Sequence, residues 1–185
     1  MKKLMFAFIA LGILLTACGG SKPTVNPSKP NEYIPAWYLT PPSDSEHLYA
    51  VGVGTSPDMQ LAFEAGAQIC RQEMITQLEN ETQAMIKRAV SQVGGGADAQ
   101  INSVFESVSK SLAAEMMYGA KVTKKEPVQN AGVVKGYVLM QMPLDGYEQR
   151  LEQKLKEQKA LMAKVEGERL FDELKNEIEN FKSNR

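Results

Sequence analysis

The chain is poor in the side chains that most often carry chemistry. It has one histidine, His47, and two cysteines, Cys18 and Cys70, in 185 residues. A single histidine with no ligand-spaced cysteine or carboxylate beside it forms no zinc pattern, and no serine–histidine–acid arrangement can be argued from it. Charge of one sign is missing too. There are 21 basic and 22 acidic residues, with no basic stripe and no interleaving of basic and aromatic residues, so the footprint of a nucleic-acid partner is absent. Beyond residue 15 no apolar run approaches the ~20 residues that a helix needs to cross a bilayer.

What is present begins at the amino end. Lys2 and Lys3 precede Leu4–Leu15, a stretch without charge. A positive segment followed by an apolar one is the start of a secretory signal. As a helix the 12 apolar residues would reach roughly 18 Å at ~1.5 Å per residue, too short for a ~30 Å hydrocarbon core. Leu15-Thr16-Ala17-Cys18 follows. Small residues directly before a cysteine resemble the lipobox of bacterial lipoproteins. The resemblance implies cleavage between Ala17 and Cys18, diacylglycerol in thioether linkage on Cys18, and acylation of the new amino terminus. One acyl chain holds a protein to a membrane only marginally, whereas two or three make the anchor effectively permanent. An aspartate at position 19 would resemble the inner-membrane retention signal of enteric lipoproteins; Gly19 therefore implies the outer membrane, with the membrane face left open. Loss of Lys2 and Lys3 with the leader leaves 19 basic against 22 acidic residues, a net charge of −3. With Cys18 lipidated, Cys70 has no intramolecular disulfide partner.

Four segments are expected: a signal peptide over 1–17, a lipidated cysteine and proline-rich tether over 18–35, an α+β domain over 36–143, and a charged amphipathic helix over 144–185. The tether carries Pro23, Pro27, Pro30 and Pro35 among small and polar residues, a composition that builds no core. Residues 48–54 read as a strand. Tyr49, Val51 and Val53 fall on one face, and Leu48, Ala50, Gly52 and Gly54 on the other; the second face would let a helix pack close. Ser56 reads as the N-cap and Pro57 as the first position of a helix that runs to about Val93. Its apolar stripe is Leu61, Ala65 and Ile69, then Ile75, Leu78, Thr82, Met85 and Ala89. Gly94-Gly95-Gly96 ends it. A second helix spans about Asp98 to Met117, with Ile101, Val104, Phe105, Val108 and Leu112 on one side. Strands over 119–128 and 133–142 flank a hairpin turn at Gln129-Asn130-Ala131-Gly132. From about Pro143 to Phe181 the chain reads as helical, with a possible bend at Gly167 and an interrupted stripe of Leu151, Leu155, Met162, Leu170, Leu174, Ile178 and Phe181. This stripe fits packing on its own domain and a helix pair between subunits equally well. The fold class expected is α+β: a small antiparallel sheet of about three strands under a helical layer.

Pro35-Ala36-Trp37-Tyr38, Tyr49-Ala50-Val51-Gly52-Val53-Gly54, an alanine-rich helix containing Arg71, and the late strand Tyr137-Val138-Leu139 together resemble the domain of LPP20-type envelope lipoproteins. The likeness spans roughly residues 35–143. Glu64, Gly66 and Cys70 interrupt the alanine run, and the charged carboxy-terminal helix lies outside it. The resemblance implies an α+β domain in the cell envelope, brings no catalytic residues, and extends to outer-membrane proteins at the flagellar base.

The remaining motifs have plain structural readings. Gly52-x-Gly54 lacks the third glycine of a dinucleotide fingerprint, since Pro57 stands there, and Glu73 lies within a helix rather than on a second strand. Close strand–helix packing accounts for both glycines. Cys70 is expected to be buried, with an intermolecular disulfide as the alternative. His47 is expected to be exposed. Glu79, Glu81, Glu166 and Glu168 read as solvated helix faces. Trp37 and Tyr38, where tether meets domain, either cap the core or form a partner surface. The expectation is a lipid-anchored, non-enzymatic structural or interaction module of the outer membrane. It contacts envelope proteins, with self-association open, and has no cofactor beyond the lipid on Cys18. A flagellum-associated subunit is one alternative; a periplasmic small-ligand carrier or an envelope enzyme is the other.

Overall fold

The computed structural model describes residues 33–95, 99–163 and 166–184. The leader, Ala17, Cys18, the tether up to residue 32, and Gly96 and Asp98 lie outside the described residues. In chain order the elements are α1 (Ala36–Leu39), β1 (His47–Ser56), α2 (Met59–Gln92), α3 (Ala99–Met116), a single 3-10 turn (Met117–Gly119), β2 (Lys121–Asn130), β3 (Val133–Pro143), α4 (Tyr147–Lys156), α5 (Lys159–Met162) and α6 (Gly167–Ser183). The fold is α+β: a three-stranded antiparallel sheet in the order β1-β3-β2, covered on one face by α2.

β1 alternates as expected. Leu48, Ala50, Gly52 and Gly54 are buried and Tyr49, Val51 and Val53 half-buried. The helix rests on glycine. A methyl group at Gly52 would stand 2.3 Å from the Gly66 carbonyl oxygen, and one at Gly54 2.1 Å from that of Ala62. From the central strand, a methyl at Gly136 would lie 2.8 Å from Phe63 N and from the Ala62 carbonyl carbon, and one at Gly66 2.8 Å from the Gly136 oxygen. Four glycines therefore bring the backbones of two layers into direct contact, closer than any side chain permits.

That contact rotates the first half of α2 away from the expected stripe. Ala62, Gly66, Ala67 and Cys70 are buried, whereas Leu61 and Ile69 are 57% and 48% exposed and Ala65 is exposed. The bulky residues cannot enter a seam that is one backbone thick. Past the sheet the stripe follows the expected one at Leu78, Thr82, Met85 and Ala89, and α3 packs there through Ile101, Phe105, Val108 and Leu112. The start of α2 also differs. β1 stays paired with β3 through Ser56, which faces Val134, so the helix begins two residues later than expected. Asp58 is the N-cap and accepts from Leu61 N–H at 2.9 Å, while Ser56 Oγ accepts from Asp58 N–H at 3.1 Å. Pro57 lies outside the helix. At the other end Gly94 (φ +77°) reverses the chain, and Gly95 N–H returns to the Val90 carbonyl at 2.9 Å, a glycine-dependent C-terminal cap.

The single carboxy-terminal helix expected over 143–181 is three helices. The chain turns at Gln158 (φ −89°, ψ 80°), and Leu161 is buried in place of Met162, which is half-buried. Leu151 and Leu155 of α4 and Leu170, Leu174 and Ile178 of α6 enter the same core as α2 and α3. Between α2 and α4, Thr82 and Tyr147 share a buried hydroxyl–hydroxyl hydrogen bond of 2.8 Å. Arg88 pairs with Glu177 at 2.6 Å, and Glu115 meets Arg150 and Lys154 at 3.0 Å each. These surface pairs hold register more than they add stability.

The seam predicts that Gly54→Ala lowers stability by at least about 3 kcal/mol, the upper range for overpacking. Gly167→Ala, whose methyl meets only the mobile end of Met162, stays within about 1 kcal/mol; urea unfolding measures both. In the hairpin, Ala131 sits at φ +49° beside Gly132 at φ +81°. Ala131→Asn, which tolerates that region better, raises stability by about 0.5–1 kcal/mol, read as a Tm increase of a few degrees.

Candidate functional site

The amino-terminal segment of the described chain crosses the outer face of the sheet. Pro35 is buried, and Pro35 and Ala36 carbonyls accept from Tyr38 and Thr40 N–H to form the short turn of α1. Tyr38 packs edge-on against Tyr137 with centroids 4.9 Å apart, and Trp37 stands edge-on to Tyr38 at 6.4 Å. Trp37 Nε1 donates to Glu126 Oε2 at 3.1 Å. The Tyr33 hydroxyl turns to the same carboxylate, which raises the Tyr33 pKa. Tyr137 and Leu139, on the outward side of β3, are 4% and 1% exposed. Trp37 and Tyr38 thus pack on the second sheet face at Tyr137 and Glu126 and are themselves half-buried. Tyr33, Ile34 and Leu39 around them are 59%, 41% and 67% exposed.

Next in the chain, Asp44 gathers a polar cluster. Its Oδ1 accepts from the backbone N–H of Glu46 and of His47 at 2.8 Å each, and lies 3.0 Å from His47 Nδ1; its Oδ2 accepts from the Tyr49 hydroxyl at 2.7 Å. The Tyr49 hydrogen bond is the largest cause that holds the Asp44 carboxyl down to about 2; desolvation opposes it, and the hydrogen bonds from Glu46 and His47 add to the lowering. His47 is half-buried and tied to Asp44 rather than exposed as expected. The cluster pins the loop to the start of β1, and Leu144 N–H donates to the Glu46 carbonyl at 2.8 Å.

Cys70 is fully buried under the sheet, with Sγ 3.5 Å from the Val138 carbonyl it donates to. Burial pushes its thiol up to about 11, so the nucleophilic thiolate is scarce at neutral pH. Gly52 and Gly54 serve the helix seam and not a phosphate. Glu79 is half-buried, Glu166 and Glu168 are exposed, and Glu81 joins Gln77, Arg88, Glu177, Asn180 and Phe181 around an open cleft of mixed lining and about 380 Å³. Among the described residues no group of histidine, cysteine and carboxylate is placed to hold a metal ion, and no helix is long and apolar enough to cross a membrane. The Asp44 cluster and the cleft are arrangements that sequence reasoning missed. Asp44-x-x-His47-x-Tyr49 carries a weak turn signal, and the cleft is assembled from residues far apart in the chain.

Against protein-family models, curated proteins and solved structures, nothing matches this chain. The family likeness therefore rests on the residues quoted for it.

The depressed Asp44 carboxyl makes the loop acid-sensitive. Its contribution is complete above the unfolded carboxylate range near pH 4 and is lost as pH falls toward about 2. Thermal unfolding against pH should show wild type losing more stability than Asp44→Asn over that window; parallel curves would contradict the assignment.

Proposed function

We propose that this chain is a lipid-anchored envelope protein of the outer membrane, non-enzymatic, that works as a structural or interaction module. The observation that carries the reading is the order Lys2-Lys3, an apolar run to Leu15, and Leu15-Thr16-Ala17-Cys18. Each part has its own physical role: charge for orientation, apolar length for export, small residues for the peptidase, and sulfur for the thioether. Acyl chains on Cys18 and a proline-rich tether would hold the domain near the headgroups and let it reach neighbours. The likeness to LPP20-type lipoproteins agrees with this placement. The closed seam between α2 and the sheet supports an interaction role over a carrier that holds its ligand between the layers. A flagellum-associated subunit is a special case of the same reading, separable by crosslinking in cells and mass spectrometry.

The test is Cys18→Ser. Wild-type protein is expected to incorporate radiolabelled palmitate and to fractionate with membranes, and the variant to do neither. Membrane recovery of the variant, with no label on wild type, would overturn the proposal.

A further inference from the structure

The sheet has two free edges among the described residues, β1 and β2, because β3 lies between them. They are built in opposite ways. β2 carries Lys121, Lys124 and Lys125, a proline at 127, and a register shift between Val122 and Lys124. Charge, proline and bulges are the devices that stop an edge from pairing with another chain. β1 has none of them. From Leu48 to Ser56 it holds no charged residue and no proline, and its ten pairs with β3 run without a shift.

The helix above the β1 edge is bare as well. The two flanks of α2 are told apart by their neighbours. Phe63 lies by Gly136 of β3 and under Lys125 of β2, whereas Ala65 and Ile69 stand beside Gly54 and Gly52 of β1. Leu61, Ala65 and Ile69, at steps of four, form an exposed apolar stripe on this flank that ends at the exposed Glu73. On the outer face the half-buried Val51 and Val53 complete an apolar rim.

We propose that the β1 edge is a docking surface for a second copy of this chain. The two β1 strands pair antiparallel about a two-fold axis, joining two three-stranded sheets into one of six strands, with the Leu61–Ile69 stripes facing each other across the axis. A second copy is the occupant because the strand is its own complement. Antiparallel self-pairing places the same neutral, unbroken strand on both sides, as a two-fold interface requires, with no like charges opposed. No charge on the edge selects a partner of different chemistry. Ten residues of paired strand supply about ten backbone hydrogen bonds, the number a standard interface carries. The inference rests on the sheet and is independent of the lipid anchor.

The experiment measures the mass of the full processed chain in detergent by multi-angle light scattering, at concentrations from about 1 to 100 μM, a range spanning moderate affinities. Wild type is expected to be a dimer. Val53→Lys and Ile69→Lys each raise the dissociation constant at least tenfold, while Val128→Lys on the β2 edge leaves it unchanged. A wild-type monomer throughout, or a dimer indifferent to Val53→Lys and Ile69→Lys, overturns the proposal. Hydrogen exchange of wild-type β1 amides decides the matter if a variant loses its circular dichroism. Protection that rises with protein concentration supports self-pairing. Protection independent of concentration, as when the chain's own residues 19–32 occupy the edge, overturns it.

Discussion

The structure depends on one contact: the backbone of α2 lying directly on the backbones of β1 and β3. Gly52, Gly54, Gly66 and Gly136 meet there at distances no Cβ can share. Main-chain contact over this length removes the gap that side chains would fill. It leaves Ala62, Ala67 and Cys70 as the only buried side chains between residues 59 and 70 of α2. Beyond the sheet α2 continues as the mast against which α3 and α6 pack, with α4 lying on α3 and reaching α2 through the Thr82–Tyr147 hydrogen bond.

The seam also sets what is left outside. A helix that turns its small residues inward must turn its large ones outward, so Leu61 and Ile69 are exposed by the same rotation that buries Gly66 and Cys70. Cys70 becomes a chemically quiet core thiol for that reason, its pKa raised by desolvation. The opposite sheet face is covered differently, by aromatic rings from the segment that precedes β1. Tyr38 packs edge-on against Tyr137, and Trp37, edge-on to Tyr38, is fastened by Glu126 of β2. One face of the sheet is thus closed by backbone, and the other is covered at Tyr137 by a ring from the segment that precedes β1.

Much of this was legible before any coordinates. The small-residue face of β1, the glycine break after α2, the hairpin at Asn130–Gly132 and the apolar side of α3 follow from local pattern: period two, period 3.6, and residues that tolerate positive φ. Three features were not. The N-cap lies at Asp58 because β1 is held in the sheet through Ser56 by a partner strand, Val134, nearly 80 residues away in sequence. The inward stripe of α2 could not be chosen by hydrophobicity, since Leu61-Ala65-Ile69 is the more apolar stripe and yet faces out. Gly167 is where α6 begins, but the turn at Gln158 carries no glycine or proline to announce it.

The amino-acid sequence by itself determined the features that need only neighbouring residues. These are the charged and apolar pattern ahead of Cys18, the lack of core-forming side chains among the prolines of residues 19–35, and the existence and order of the three strands and of α2 and α3. Tertiary structure alone decided which side of α2 is interior, which of two sheet edges is left open without guard, and which distant polar groups share the Asp44 cluster. Local pattern reports how greasy or how flexible a segment is. It does not report the shape of the surface the segment will meet, and here that shape, a floor of glycine, outweighed hydrophobicity.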